Sequence, residues 1–291
     1  MIQSKKDVRP PRAVAVGLTL RRLRLERKVS LRELADRVDK DAPTVCRWET
    51  GERVITPQQA THVLAVLGVD RGGFRRVMRL CTDLDHPCWI ATTDEEQHIQ
   101  RDAYLALTAV ATHITELAPR CVPPLLRTRE VAAGIAWAGE VPADQAVAHV
   151  AALRERQRPV LGKSDVDITV FLGTAALVPP TKDAGGFAAQ LDHLLRLAAH
   201  PRIDLRLTPT ERGESLGQAV TVTRTPHTTF AVTHVRRSIL WLHRGEELDS
   251  IAQDIQDARA AALSHEESVA GIAEALERLR RGAACGLTRA G

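Results

Sequence analysis

The chain has 291 residues, 44% of them hydrophobic and 26% charged, which is typical of a folded protein long enough for two domains. Its formal net charge of +4 is unevenly distributed: residues 1–82 carry 18 Lys and Arg against 9 Asp and Glu, and the remainder carries 22 against 27. This composition excludes wholesale disorder, no apolar run approaches the roughly 18 residues of a membrane span, and a basic first part is expected if that part meets phosphate.

Residues 1–16 are predicted to be a flexible basic arm. Lys5, Lys6, Arg9 and Arg12 surround the Pro10-Pro11 pair in this segment. Two interpretations remain open for it, an arm that touches a nucleic-acid backbone and a disordered tail. A first helix is then predicted over residues 17–28, where leucines recur among arginines.

The stretch from Ser30 to Gly51 predicts two short helices joined by a tight turn. Ser30 and Glu33 have the spacing of a capping box, and the apolar residues that follow recur at helical spacing. These residues are Leu31, Leu34, Ala35 and Val38. Asp39-Lys40-Asp41 interrupts the pattern, Asp41 is a cap for a second helix with Val45 and Trp48 inward, and Gly51 ends it. This pattern predicts a helix-turn-helix whose second helix enters the major groove.

Residues 17–51 resemble the Cro/cI-type (XRE) helix-turn-helix family. Where that family usually has glycine in the turn, this chain has Asp39, a residue that tolerates a left-handed conformation. The two positions that often carry glutamine at the start of the reading helix are Ala42 and Pro43 here, and neither side chain donates a hydrogen bond. The resemblance also implies a structural ion pair between Arg24 and Glu49.

Base reading is therefore expected to depend on Arg47, whose guanidinium suits the O6 and N7 acceptors of guanine. The alternative for Arg47 is a solvated charge on an exposed face. Thr44 is expected to reach a phosphate or a base, and Ala42 or Pro43 to pack on a thymine methyl group. The remaining DNA-contact candidates around the two helices are Lys40, Ser30, Arg32 and Arg53.

Two more helices complete a predicted five-helix DNA-binding domain over residues 17–82. Thr56-Pro57 starts one helix, which Gly68 ends, and Asp70 starts the other. The domain boundary is expected near Thr82 to Cys88, where the helical pattern is broken.

A second domain is predicted over residues 89–282, followed by a flexible tail over residues 283–291. It begins with a helix at about 94–117. A proline-led turn from Val122 then leads into a second helix, and a third helix is predicted at about 142–157. A strand is then predicted at 166–172, a helix at 185–199 and a strand at 203–207. Residues 218–242 follow with a hairpin and one more strand, SILWL, and two helices at about 246–263 and 266–281 close the chain. The predicted fold class is mainly α with an α+β second domain, in which a helical region precedes a small β-sheet with flanking helices.

Several short motifs in this second part occur in the order found in actinobacterial regulators with a DUF5753 (Scr1-type) domain behind an XRE domain. They are VPPLLRT at 122–128, RERQR at 154–158, the QLDHLLRLA helix, the RLTPTERG turn and ALSHEESVAGI at 262–272. The chain is similar to those proteins over nearly its whole length. The resemblance implies transcriptional regulation, often beside a small partner protein in an antitoxin-like arrangement.

No catalytic, cofactor-binding or metal-binding pattern is recognisable. The five cysteines are scattered, the histidines form no ligand pair, and the chain has no P-loop, GxSxG or Rossmann glycine pattern. We therefore expect a cytoplasmic, homodimeric regulator that binds double-stranded DNA and is not an enzyme, with no cofactor, metal or membrane partner. Its second domain would dimerise and sense a small-molecule effector or a partner protein. The alternative is an enzyme of unknown reaction with an attached DNA-binding domain.

Overall fold

A computed structural model of the protein describes residues 9–81, 88–91, 93–138, 143–162, 165–179, 184–209, 218–235 and 238–287. By backbone contacts the chain divides into two compact units, which are described separately. The first contains Met1–Thr112 and Thr223–Asp249, and the second contains His113–Val222 and Ser250–Gly291. The first unit thus combines the amino-terminal helices with a segment from late in the sequence.

The helices of the described residues are α1 Pro11–Glu26, α2 Leu31–Arg37, α3 Ala42–Glu49, α4 Pro57–Val66, α5 Arg71–Leu80, α6 Asp94–Thr108, α7 Arg129–Ala138, α8 Ala143–Leu161, α9 Ala184–Ala198, α10 Gly245–Ala261 and α11 His265–Leu287. The strands are β1 Cys88–Ile90, β2 His113–Ala118, β3 Asp167–Gly173, β4 Ile203–Thr208, β5 Val220–Arg224, β6 Thr229–Val235 and β7 Ser238–Leu242. Within the described residues, β7 pairs antiparallel with β1 and β6 in the first unit, and β3 pairs parallel with β2 and β4 in the second. The predicted fold class, helical with an α+β second part, is confirmed.

Side-chain caps explain why most of the amino-terminal helices begin where they do. Ser30, Asp41, Thr56 and Asp70 each accept a hydrogen bond from the backbone amide three residues later. The predicted capping box at Ser30 is only half formed, because the Glu33 carboxylate forms an ion pair with Arg37, one turn along the helix.

Helix α1 begins at Pro11, six residues before the predicted start at residue 17. Proline in the first turn loses no helical hydrogen bond, and the helical residues Val14, Ala15 and Val16 are completely buried. Burying these apolar side chains lowers the free energy by more than the conformational entropy of a free arm would. The first part of the predicted arm, residues 1–8, lies outside the described residues.

The two described arginines of the predicted arm contact the protein itself. Nη1 of Arg9 donates to the carbonyl oxygen of Thr50 at 2.8 Å, and Nη2 of Arg12 donates to that of Arg79 at 3.1 Å. The guanidinium of Arg12 also lies 4.5 Å from the ring centre of Trp89. These side chains therefore fasten the start of α1 within the first unit.

The core of the first unit joins the amino-terminal helices to strands β6 and β7. Leu20, Leu34 and Trp48 belong to the same buried cluster as Phe230 and Trp241. The Trp241 ring stacks on Phe230, with 5.0 Å between ring centres. The helical part of the first unit is therefore packed against residues that lie about 200 positions later in the sequence. The predicted domain boundary at residues 82–88 falls mostly outside the described residues, and the division into domains stays a prediction.

The second unit is built on parallel strands β2, β3 and β4. Ile114 lies beside Ile168, which lies beside Ile203. Helix α11 packs against α9 and β4, and the hydroxyl of Ser268 accepts a hydrogen bond from the Leu207 amide at 2.8 Å. This bond occupies a backbone donor that a sheet edge would otherwise leave exposed.

The predicted helix at 94–117 is wrong in its second half, because α6 ends at Thr108 and residues 113–118 form strand β2. Ile114 and Leu117 are three residues apart and both buried, as on one helix face, but they lie on opposite faces of a sheet that is buried on both sides. Periodicity alone does not separate these two cases. The later strands and helices lie within a few residues of their predicted positions, except that α8 continues to Leu161 and α11 to Leu287.

Candidate DNA-binding surface

Helices α2 and α3 are joined by a turn that places Asp39 in the left-handed region, with φ +53°. The prediction that this residue takes the place of the usual glycine is confirmed. The amide of Lys40 donates to the Ala35 carbonyl oxygen at 3.0 Å and so closes the end of α2. Asp41 then accepts from the Thr44 amide at 3.2 Å and starts α3. Hydrogen bonding by the Thr44 hydroxyl, with a smaller contribution from the Thr44 amide, lowers the pKa of the Asp41 carboxyl.

Helix α3 has one buried and one outward face. Val45, Trp48 and Glu49 are buried against the rest of the first unit, whereas the side chains of Pro43 and Cys46 are exposed. The two exposed residues are three positions apart and therefore lie on the same side of the helix. The face that a two-helix motif would turn towards a ligand is thus centred on Pro43 and Cys46.

Two glycines allow α1 and the α3 region to approach at backbone distance. A Cβ atom on Gly17 would lie 2.3 Å from the carbonyl oxygen of Trp48, and one on Gly51 would lie 2.7 Å from Cα of Val14. Gly51 also has φ +67°, which strains residues with a side chain. Helix α3 is therefore held in a fixed position on α1.

A buried ion pair adds to this attachment. Nε and Nη2 of Arg24 on α1 donate to the two carboxylate oxygens of Glu49 on α3, at 2.7 and 2.8 Å. Nη1 of Arg24 donates to the Val29 carbonyl oxygen at 2.9 Å, and the two side chains are only 8% and 6% exposed. The hydrogen bonds to Glu49 raise the pKa of the Arg24 guanidinium. These are the two residues for which the family resemblance implies a structural pair.

The candidate DNA contacts on α3 differ in accessibility. Ala42 and Arg47 are half-buried and Pro43 is exposed, but Thr44 is buried, with 6% exposure. The Thr44 hydroxyl lies 3.5 Å from Nη2 of Arg47. Thr44 is therefore placed to orient Arg47 and is poorly placed to contact DNA directly.

The other candidates lie around α3, and all are exposed. Ser30 and Arg32 are at the start of α2, where the Ser30 hydroxyl accepts from the Glu33 amide at 3.1 Å. Nζ of Lys40 donates to the Asp39 carbonyl oxygen at 2.8 Å, and Arg53 follows the end of α3. These cations are accessible to a phosphate backbone.

The sequence interpretation missed two features of this surface. Cys46 is central to the outward face of α3, and its place follows from counting three residues on from Pro43. An open depression on the turn is lined by Asp36, Asp39, Lys40 and Asp41, three of them acidic. Residues 28–53 contain six basic and six acidic side chains, so the basic excess of the amino-terminal part lies outside the two-helix motif itself.

Among the described residues of the second unit is a buried acid, Glu116, that the sequence interpretation also missed. Glu116 in the middle of β2 is 3% exposed, and its Oε2 accepts a hydrogen bond from the Thr221 hydroxyl at 2.8 Å. Burial raises the pKa of the Glu116 carboxyl to about 7, although Thr221 and the Arg127 guanidinium act in the opposite direction. A glutamate between the apolar residues Ile114 and Leu117 was the available signal.

Two family models match the chain. A model described as a helix-turn-helix domain matches residues 15–76, and one described as a domain of unknown function (DUF5753) matches residues 101–274. No curated protein and no solved structure matches the chain. The predicted order of these two domains is confirmed. Within the described residues, no helix is long and apolar enough to span a bilayer.

Proposed function

The chain belongs to the DUF5753 domain family and carries a helix-turn-helix domain ahead of that domain, and we propose that it is a dimeric, sequence-specific transcriptional regulator. The observation that carries the proposal is the outward face of α3, which is held on α1 by backbone contacts and a buried ion pair while Pro43 and Cys46 stay exposed. A helix fixed on its support and open on the other side is the arrangement that reads a major groove.

We assign Arg47 the hydrogen bonds to base edges and Thr44 the role of orienting it. Ala42 and Pro43 approach the bases closely, since neither has a long side chain. Four exposed residues contact the phosphate backbone around them. These are Lys40, Ser30, Arg32 and Arg53. The phosphate contacts fix the position of the motif on the duplex, and the basic excess that supplies non-specific attraction lies outside the motif.

We place the DNA-binding domain at residues 17–82 and the second domain at residues 89–282. We propose that the second domain dimerises and senses a small molecule or, in an antitoxin-like arrangement, a partner protein. An eight-residue reading helix reaches only a few base pairs, so two copies about 34 Å apart on one face of the duplex are needed for specificity. The family resemblance, which implies a small partner protein beside such regulators, motivates the partner-sensing role.

The test is selection of bound DNA from a random pool at a stated salt concentration, followed by affinity measurements on the selected site. We expect Arg47→Ala to weaken binding to that site by about 1–3 kcal/mol and to relax the preference at one base pair per half-site. The matched control is Arg75→Ala, which removes an exposed arginine from α5, away from the motif. Failure to select any sequence, or full specificity of Arg47→Ala, would refute the assignment.

Oligomeric state and sensing are tested separately. Sedimentation of the full chain should give a dimer, and native mass spectrometry of the purified protein should show a retained small molecule or a co-purified chain. A monomer that binds a single half-site with full affinity contradicts the dimeric proposal. Chemical turnover of a retained molecule would instead indicate an enzyme.

A further inference from the structure

The exposed face of α3 carries two side chains with little hydrogen-bonding capacity. Pro43 has no polar side-chain atom, and the Cys46 thiol is a weak donor and acceptor. Ala42, at the first position of the helix, adds a methyl group beside them. The centre of the presented face is therefore apolar, although exposed charged residues surround the helix.

An apolar centre has one good partner among the base edges of the major groove. The C5-methyl group of thymine is the apolar feature that distinguishes one base pair from the others there, whereas guanine, adenine and cytosine present hydrogen-bonding atoms. Placing Pro43 or Cys46 against those atoms would desolvate them without compensation. The favoured occupant of this face is therefore a thymine.

Cys46 does not belong to the core that the opposite side of α3 helps to form. Its neighbours Val45 and Trp48 are buried in the first unit, but Cys46 itself is exposed. Cys81 shows the contrasting case, because it is buried in the same core and burial raises the pKa of its thiol to about 11. Core packing therefore does not account for the small, soft side chain at position 46.

We propose that Pro43 and Cys46 form an apolar reading patch that recognises thymine C5-methyl groups at neighbouring base pairs of each half-site. The inference rests on the proposed DNA-binding function and specifies which base feature that site reads. Arg47, next to Cys46 along the chain, supplies the hydrogen bonds at an adjoining pair.

The direct test replaces each thymine of the selected site, one at a time, by deoxyuridine, which differs only in lacking the methyl group. Burial of one methyl group corresponds to about a fourfold change in affinity, so we expect a loss of that size at one or two positions per half-site. In Cys46→Ser, binding should become indifferent to the methyl group at one of these positions. Cys46→Ala, which keeps an apolar contact, should retain part of the discrimination. Because position 46 is exposed, both variants should unfold at the wild-type temperature.

Alkylation provides a second readout on the unmodified protein. N-ethylmaleimide should label Cys46 and Cys121, which are both exposed free thiols, faster than the buried Cys81. The selected DNA should protect Cys46 at least tenfold and leave the labelling rate of Cys121, in the second unit, unchanged.

Two outcomes overturn the reading patch alone. Tight, specific binding that is unaffected by every thymine-to-deoxyuridine replacement refutes methyl recognition, and equal labelling of Cys46 with and without DNA refutes its position at the bases. Absence of any sequence-specific binding would overturn the proposed function and the patch together, so the two failures are distinguishable.

Discussion

Breaking the buried Arg24–Glu49 ion pair should destabilise the first unit more than breaking an ion pair on the surface of that unit. Arg24→Met keeps most of the side-chain volume but removes both hydrogen bonds to the Glu49 carboxylate and the one to Val29. Glu49 would then be a buried charge without a counter-ion, since its side chain is only 6% exposed. Loss of one partner of such a pair costs about 3–5 kcal/mol, a large part of the total stability of a domain, about 5–15 kcal/mol.

The double replacement separates the ion pair from the packing. With Glu49→Leu added to Arg24→Met, no unpaired charge remains and two apolar side chains fill the space, so most of the loss should be recovered. The Val29 carbonyl oxygen stays without its partner, which leaves a residual cost of about 1 kcal/mol. Adding Glu49→Leu should therefore recover about 2–4 kcal/mol of the loss caused by Arg24→Met.

The free energy of unfolding is measured by urea titration with tryptophan fluorescence. This signal is appropriate because Trp48, Trp89 and Trp241, three of the four tryptophans, belong to the first unit. The matched control is Arg37→Met, which removes an ion pair to Glu33 whose side chains are nearly half exposed, and it should cost below about 1 kcal/mol. Recovery of less than about 1 kcal/mol on adding Glu49→Leu would refute the reasoning, because the unpaired carboxylate would then cost no more than one at the surface.

Three further outcomes are expected. Gly51→Ala should lower the free energy of unfolding by about 2–4 kcal/mol, because the added methyl group overlaps α1 and the residue keeps a positive φ. Gly68→Ala, at φ +60° in open space, should lower it by only about 1 kcal/mol. Equal losses in the two variants would contradict the close approach of Gly51 to α1. Lys28→Gly should stabilise the protein by about 1 kcal/mol, because glycine adopts the φ of +57° at this position without strain. Asp39→Gly should stabilise it by less, since aspartate tolerates a left-handed conformation better than lysine does. Thermal unfolding of the two variants measures both effects. The Glu116 carboxyl, with its pKa of about 7 in the fold, binds a proton that the unfolded chain releases near 4.5, so the stability of the fold should fall as the pH rises from 4.5 through 7. Above pH 7 the free energy of unfolding of Glu116→Gln should then exceed that of the wild type by up to about 3 kcal/mol, and this difference should disappear near pH 4.5. Parallel profiles of unfolding free energy against pH for the two proteins would exclude this explanation.

Features set by neighbouring residues were predictable from the sequence. The cap at Asp41 and the left-handed Asp39 depend on side-chain chemistry within a few positions, and both are present. Arg24 and Glu49 are 25 positions apart and follow no local pattern, so only the family resemblance pointed to them.

Features set by distant parts of the chain were not predictable in the same way. Val14 to Val16 look like part of a mobile arm until the surfaces that bury them are known. Strand β2 looks helical because both of its faces are covered, and the exposure of Cys46 depends on which side of α3 is packed inward. In each case the deciding contact involves residues that single-sequence periodicity does not connect.

The core shared by Leu20, Leu34 and Trp48 with Phe230 and Trp241 also bears on the order of events during synthesis. Amino-terminal domains commonly fold while the rest of a chain is still being made. Here the hydrophobic core around the reading helix is completed only once Trp241 has emerged from the ribosome. A nascent chain therefore completes the packing behind α3 late in translation, when most of the DUF5753 domain has already been made.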